Sequence, residues 1–270
     1  PDPNLILKIP HSFFSQKVNT STLLQKRKNN IGHNLSISYD KPLQMLNAKY
    51  QYFFDDKGRK YLDAVNNISH VGHSHPHVHE ALIKQNELLN TNTRYIYKIM
   101  TDYSEKLLQK FPKNLDTIYF VCSGSEANDL AYRMALTFTK GSEVLVMDNA
   151  YHGNTTTLID LSPYKFNGPG GLGKQNHVHV APMPDGIRGL WKYENKNMTA
   201  NYIETVKKII NSIQKQNKIL SCFFIESILG CGGQMILPDG YLKEVFNIVH
   251  KAGGVCIIDE VQTGFGRVGD

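Results

Sequence analysis

Five short apolar runs alternate with stretches of helical length from about residue 115 onward: TIYFVC (117–122), EVLVM (143–147), HVHVA (177–181), ILSCFFIE (219–226) and VCIIDE (255–260). No other feature constrains the fold as strongly. Strands that are apolar along their whole length need cover on both faces, and strands separated by helices form mostly parallel sheets. The expected class is α/β, with a mostly parallel central sheet covered by helices on both faces. The stretches between the runs fit this. SEANDLAYRMALTFTK follows the first run, a short helix is expected around 153–161, and YLKEVFNIVHKAG precedes the last run. NYIETVKKIINSIQKQ sets Ile203, Val206, Ile209, Ile210 and Ile213 on one helical face. Residues 162–176 form the one long Gly/Pro-rich connection.

Upstream the pattern differs. Residues 1–25 lack a clear period and read as a linker or the tail of an upstream region. Residues 26–75 read as an N-terminal segment in which QYFF and RKYL flank the turn Asp55-Asp56-Lys57-Gly58, a β-hairpin signal. Val78, Leu82, Leu88 and Leu89 suggest a helix, and a second one is expected from Tyr103 to Lys110, before Pro112. Residues 76–270 then form one large domain. A start at Pro1 without Met and a stop at Asp270, just after GFGRVGD, suggest a piece of a longer protein.

Composition removes several function classes. The chain is 41% hydrophobic and 20% charged. It has no run near the roughly 18 apolar residues that a membrane span needs, and nothing at its start reads as a signal peptide. A net charge of +6 with one tight basic cluster, Lys26-Arg27-Lys28, does not suggest nucleic-acid binding. Cys122, Cys222, Cys231 and Cys256 are far apart and form no CxxC pair, as expected of a cytoplasmic protein with free thiols. The histidines at 70, 73, 75, 77 and 79 are interrupted by Pro76 and joined by no Cys or carboxylate cluster, so no metal site is expected.

Ligands of open α/β sheets bind beyond the carboxyl ends of the strands. Four polar clusters fall there: Ser123-Gly124-Ser125, Tyr151-His152-Gly153, Glu226 and Asp259-Glu260. Small residues at the start of a helix let a phosphate reach free backbone N–H groups. Equally, Ser123 and Glu126 can form a capping box with no ligand. Asp259, at the end of an apolar strand, suits a cation such as a protonated pyridine nitrogen, or caps the following turn. Tyr151 suits stacking on a planar ligand, or core packing.

The clusters are more specific together than singly. SGSEAND (123–129), AYHG (150–153), FIES with CGGQ (224–234) and IIDEVQTGFGR (257–267) stand in the order and spacing of class III aminotransferases. The chain resembles that family from about Asn29 to its end. These are pyridoxal-phosphate enzymes of fold type I. The resemblance therefore implies an incomplete fold type I large domain, preceded by the N-terminal segment of the small domain. NNISHVGHSHP, LLNTNTRY, SPYKF, HVHVAPMPD and CGGQ make the chain most similar to the ethanolamine-phosphate phospho-lyase branch.

What the resemblance implies follows residue by residue. The Ser123-Gly124-Ser125 turn, through the backbone of Gly124 and Ser125, would hold the phosphate of pyridoxal 5'-phosphate. Tyr151 and Val261 would pack on opposite faces of the pyridine ring. Asp259 would pair with the ring nitrogen, Gln262 would contact the ring hydroxyl, and His152 and Glu226 would support them. The Schiff-base lysine of the family is expected beyond Asp270, so residues 1–270 alone are expected to be inactive.

Two departures from the usual transaminase pattern bear on the reaction. Typical members carry a glutamate where this chain has Cys231, and many have apolar or aromatic side chains near Asn66 and Asn67. Both point to a small polar substrate. The expected activity is a homodimeric phospho-lyase that removes phosphate and ammonia from a small phosphorylated amine such as phosphoethanolamine. The alternatives are a transaminase acting on an ω-amine or amino acid, and a degenerate non-catalytic binding module.

Overall fold

The computed structural model describes residues 18–65 and 70–269. Asn66 and Asn67, and residues 1–17 of the stretch read as a linker, lie outside the described residues. The chain divides into two compact units, one ending at Ile96 and one beginning at Tyr97.

In the first unit, helix α1 (Thr20–Asn30) is capped by Asn19, whose side chain accepts the Ser21 N–H at 3.0 Å. An antiparallel sheet follows, in the order β1 (Met45–Lys49), β2 (Tyr52–Asp55), β3 (Lys60–Leu62). The hairpin read from QYFF and RKYL is the β2–β3 pair. Asp55 fixes its turn by accepting the N–H groups of Lys57 and Arg59 at 3.0 and 2.8 Å, and Gly58 takes the left-handed φ of 74° that the turn needs. Helix α2 (Pro76–Leu88) starts on Pro76, where the missing N–H is harmless.

The second unit opens with α3 (Lys98–Leu108), which starts earlier than the expected Tyr103. Then come α4 (Gly124–Thr139), β4 (Glu143–Met147), α5 (Thr156–Asp160), α6 (Pro163–Phe166), β5 (Val178–Ala181) and α7 (Met198–Lys215). They are followed by β6 (Leu220–Glu226), a short antiparallel pair β7 (Ile228–Leu229) and β8 (Met235–Ile236), α8 (Tyr241–Lys251) and β9 (Val255–Asp259). Strands β5, β4, β6 and β9 lie side by side in that order, all parallel.

Side-chain alternation along these strands builds two cores. Leu145, Met147, Phe223 and Ile225 pack with Tyr202, Val206 and Ile210 of α7 and Tyr241, Val245 and Val249 of α8. Val144, Val146, Cys222 and Phe224 point the other way, to Tyr132 and Ala135 of α4 and Leu158 of α5. Each buried Leu, Ile or Phe contributes about 1.5–3 kcal/mol. The result is the expected α/β sandwich.

One expectation fails. Thr117–Cys122 is not a strand, and Tyr119, Phe120 and Val121 are 61%, 41% and 41% exposed. A β-prone run becomes a strand only where another strand accepts its backbone hydrogen bonds, and the four-stranded sheet gives this run no neighbour.

The sheet order also locates the site. The chain leaves β4 to one side to form β5 and returns to the other side to form β6. A crevice therefore opens at the carboxyl ends of β4 and β6, where the strand order reverses.

Candidate active site

At that crevice lies a cavity of about 170 Å³. It is lined by Ser123, Gly124, Ser125, Tyr151, His152, Glu226, Asp259, Val261 and Gln262, with Gly153, Ile228 and Thr263 beside them. Residues up to 140 positions apart in sequence, Ser123 and Thr263, meet here because parallel strands bring their carboxyl ends together.

Helix α4 supplies the first group. Ser123 Oγ accepts the Glu126 N–H at 3.1 Å, and Glu126 Oε2 accepts the Cys122 N–H at 2.6 Å. This is a capping box reaching one residue upstream of its usual partner. It does not use the N–H groups of Gly124 and Ser125, which have no intrahelical acceptor in the first turn. Gly124 is required by crowding: a Cβ there would sit 2.5 Å from Val261 Cγ2. Ser125 Oγ accepts the Asn154 N–H at 3.0 Å and so ties α4 to the segment after β4.

Strands β6 and β9 supply the carboxyls. Asp259 Oδ2 accepts Asn128 Nδ2 at 2.8 Å and His152 Nδ1 at 3.2 Å, while Oδ1 accepts the Val261 N–H at 3.0 Å. Burial pushes the Asp259 carboxyl up, but these donors and the His152 charge outweigh it and hold it below the ordinary carboxylate range. An ionised Asp259 only accepts hydrogen bonds, so the proton of this contact sits on His152 Nδ1. Glu226 Oε1 accepts the Tyr151 N–H at 3.2 Å and Oε2 accepts the Gly230 N–H at 2.9 Å. For Glu226, burial prevails over these donors and raises the carboxyl. Gln262 lies against the same turn, since a Cβ on Gly230 would fall 3.0 Å from Glu226 Oε2 and 3.1 Å from Gln262 Oε1.

Cys231 stands apart from this cavity. It lines a second one of about 620 Å³, with Asp148, Asp185 and Arg188 among its neighbours. Burial pushes its thiol up, the Glu226 charge adds to this and Lys165 opposes it. The thiol is therefore neutral at physiological pH.

Asn128 was not singled out from the sequence, although it lies within SGSEAND. It is buried and bridges His152 O at 2.9 Å and Asp259 Oδ2. A polar amide on an otherwise apolar helical face was the available signal. Ser162 was also missed: its Oγ accepts the His152 N–H at 3.0 Å and donates to Leu158 O at 2.6 Å.

A family model described as aminotransferase class-III matches residues 37–270. The chain belongs to the class III aminotransferase family. It is 42% identical over 257 residues to ethanolamine-phosphate phospho-lyase homolog 1 of Caenorhabditis elegans, covering 92% of this chain and 55% of that protein. It is 41% identical over 259 residues to the alanine–glyoxylate aminotransferase 2-like protein of Drosophila melanogaster, covering 94% and 52%. The chain thus spans about half the length of the relatives it matches. A phospholyase from Arthrobacter, solved in complex with phosphoethanolamine, superposes with a TM-score of 0.83 at 35% identity, over 91% of this chain and 57% of that one. A transaminase from the marine bacterium Virgibacillus, 22% identical over 91% of this chain and 56% of its own, shares the fold with a TM-score of 0.78.

Class III aminotransferases use pyridoxal phosphate, and the residues present fit that cofactor. His152 Nε2 is buried with no hydrogen-bond partner, a polar atom that a bound group can satisfy. The close approach at Gly124 leaves backbone, not side chain, facing the cavity. An ionised Asp259 in a buried position suits a cationic ring nitrogen.

Proposed function

We propose that the protein is a pyridoxal-phosphate lyase that eliminates phosphate from a small phosphorylated primary amine such as phosphoethanolamine. In the net reaction one water enters, and acetaldehyde, ammonium and hydrogen phosphate leave. When bound, pyridoxal phosphate supplies an electron sink for the carbon beside the amine. With the Schiff-base lysine expected beyond Asp270, the residues of this chain would hold and orient the cofactor. The N–H groups of Gly124 and Ser125 would hold the cofactor phosphate, helped by the α4 dipole. Tyr151 and Val261 would pack against the ring, and Gln262 would contact its hydroxyl. Asp259 would keep a proton on the ring nitrogen, while His152 and Asn128 hold Asp259 in place. Glu226 fixes the Tyr151 backbone and the Gly230 turn.

The observation that carries the lyase reading is the cysteine at position 231. A transaminase must admit two substrates in turn, and the glutamate usual at this position pairs with an arginine to allow that. A thiol cannot make this ion pair. Asn66 and Asn67, polar where many members of the family carry apolar or aromatic residues, agree with a small polar ligand. The similarity to the Arthrobacter phospholyase supports the same class of substrate.

A transaminase is the second reading. The groups around the 170 Å³ cavity serve either reaction, and the Drosophila relative bears an aminotransferase name. Incubating the full-length holoenzyme with phosphoethanolamine, with and without pyruvate, separates the two. A lyase needs no keto acid, and a strict keto-acid requirement contradicts the proposal. We also place the protein in a homodimer within a reducing compartment such as the cytoplasm. All four cysteines are free thiols, and no described helix is long and apolar enough to cross a membrane.

A further inference from the structure

We infer that Lys165 is the cation that receives the phosphate of the substrate, an inference resting on the lyase reading above. Its Nζ lies 5.6 Å from the ring centroid of Tyr151 and 5.6 Å from that of Tyr164. The two rings meet edge to face at 6.1 Å and 76°. Tyr151 lines the 170 Å³ cavity, so the ammonium lies one aromatic ring away from a cavity wall.

The position is built into the backbone. The Tyr164 N–H donates to Ala150 O at 3.2 Å, the Lys165 N–H to Ser162 O at 2.8 Å, and the His152 N–H to Ser162 Oγ at 3.0 Å. The turn that carries Lys165 is thereby laced to the segment that carries Tyr151 and His152. The following loop closes tightly on it: a Cβ on Gly171 would fall 2.3 Å from Phe166 O and 2.6 Å from Lys165 O.

Charge makes the second half of the case. Among the described residues Lys165 has no carboxylate partner. Arg188, the cation beside the neighbouring cavity, is committed to Asp185 at 2.9 Å. Two aromatic faces hold the Lys165 ammonium without neutralising it. Cys231 is close enough to feel its charge. A carboxylate in place of that thiol would compete with an incoming anion, whereas the thiol leaves the cation available. A phosphate monoester dianion gains a charge-assisted hydrogen bond there. An amine without an anionic group gains nothing. Lys165 thus selects for phosphorylated amines, and Cys231 permits the selection.

The test uses full-length protein loaded with pyridoxal phosphate, which occupies the α4 site so that added phosphate reports on Lys165. Calorimetric titration with inorganic phosphate and steady-state kinetics with phosphoethanolamine are run on wild type, Lys165→Gln, Lys165→Arg and, as a charge control, Lys208→Gln. Lys165→Gln is expected to weaken phosphate binding and raise KM by about 10–100-fold, the loss of one charged hydrogen bond. Lys165→Arg keeps the charge and is expected within about fivefold of wild type. Lys208→Gln is expected to match wild type, and bound cofactor absorbance is expected to be equal in all four. Phosphate affinity in Lys165→Gln within about twofold of wild type overturns the inference. If wild type binds phosphate through Lys165 yet releases none from phosphoethanolamine, the lyase reading fails while the anion site stands.

Discussion

Glu226 and Asp259 stand opposite each other at the carboxyl ends of β6 and β9, and the protein shifts their carboxyls in opposite directions. Both are buried, so burial alone would raise both. The difference lies in their donors. Asp259 receives an amide, an imidazole and a backbone N–H, whereas Glu226 receives two backbone N–H groups. Asp259 is therefore the more readily ionised of the two, which fits the proposed pairing with a cationic ring nitrogen.

Replacing Asp259 with Asn leaves at least one of its three donors unpaired. Asp259→Asn is expected to cost about 2–3 kcal/mol at neutral pH and to abolish cofactor retention. Because the folded carboxyl is depressed, its contribution is present above the unfolded value of about 3.9 and is lost as pH falls through the folded value. Urea melts across pH should show the wild-type advantage shrinking in acid. A constant difference contradicts the assignment.

Glu226 carries the opposite sign. Its folded carboxyl is raised, so between the unfolded value of about 4.3 and the folded value the native state binds more protons. Wild-type stability relative to Glu226→Gln should therefore decline as pH rises through that window. A flat difference in the same melts would show that burial does not govern this group.

Gly124→Ala places a methyl group 2.5 Å from Val261 Cγ2. The expected cost is about 1–3 kcal/mol, with weakened cofactor binding. Adding Val261→Ala makes room, and the double variant is expected to recover part of the loss. Additive losses in equilibrium melts and cofactor titrations would contradict the crowding.

Cys231→Glu restores the usual carboxylate of the family. It is expected to raise KM for phosphoethanolamine about tenfold or more by opposing the phosphate, with cofactor absorbance retained. An unchanged KM would remove Cys231 from the account of specificity.

The central strands were legible in the sequence because β4 and β6 are buried along their whole length and read as continuous apolar runs. TIYFVC has the same composition and is no strand, since composition does not reveal whether a neighbour exists. The helix α3 begins before the expected Tyr103 because Ile99 and Met100 extend the apolar face of Tyr103, Leu107 and Leu108 back by one turn. The strand-end motifs located Asp259, Glu226 and Tyr151, for topology alone brings strand ends together. Asn128 reaches Asp259 across 131 residues from within a helix, and Lys165 depends on the packing of two tyrosine rings. The buried amide of Asn128 on an apolar helical face is a weak local signal, whereas the Lys165 relation has none.

The most direct test of the lyase account is the stoichiometry of the reaction. Full-length holoenzyme is given phosphoethanolamine with no keto acid, and phosphate and ammonia are followed together over time. The account expects both to appear at equal rates over many turnovers. No release of phosphate or ammonia, with the amino group instead recovered on a keto acid once one is added, would contradict it.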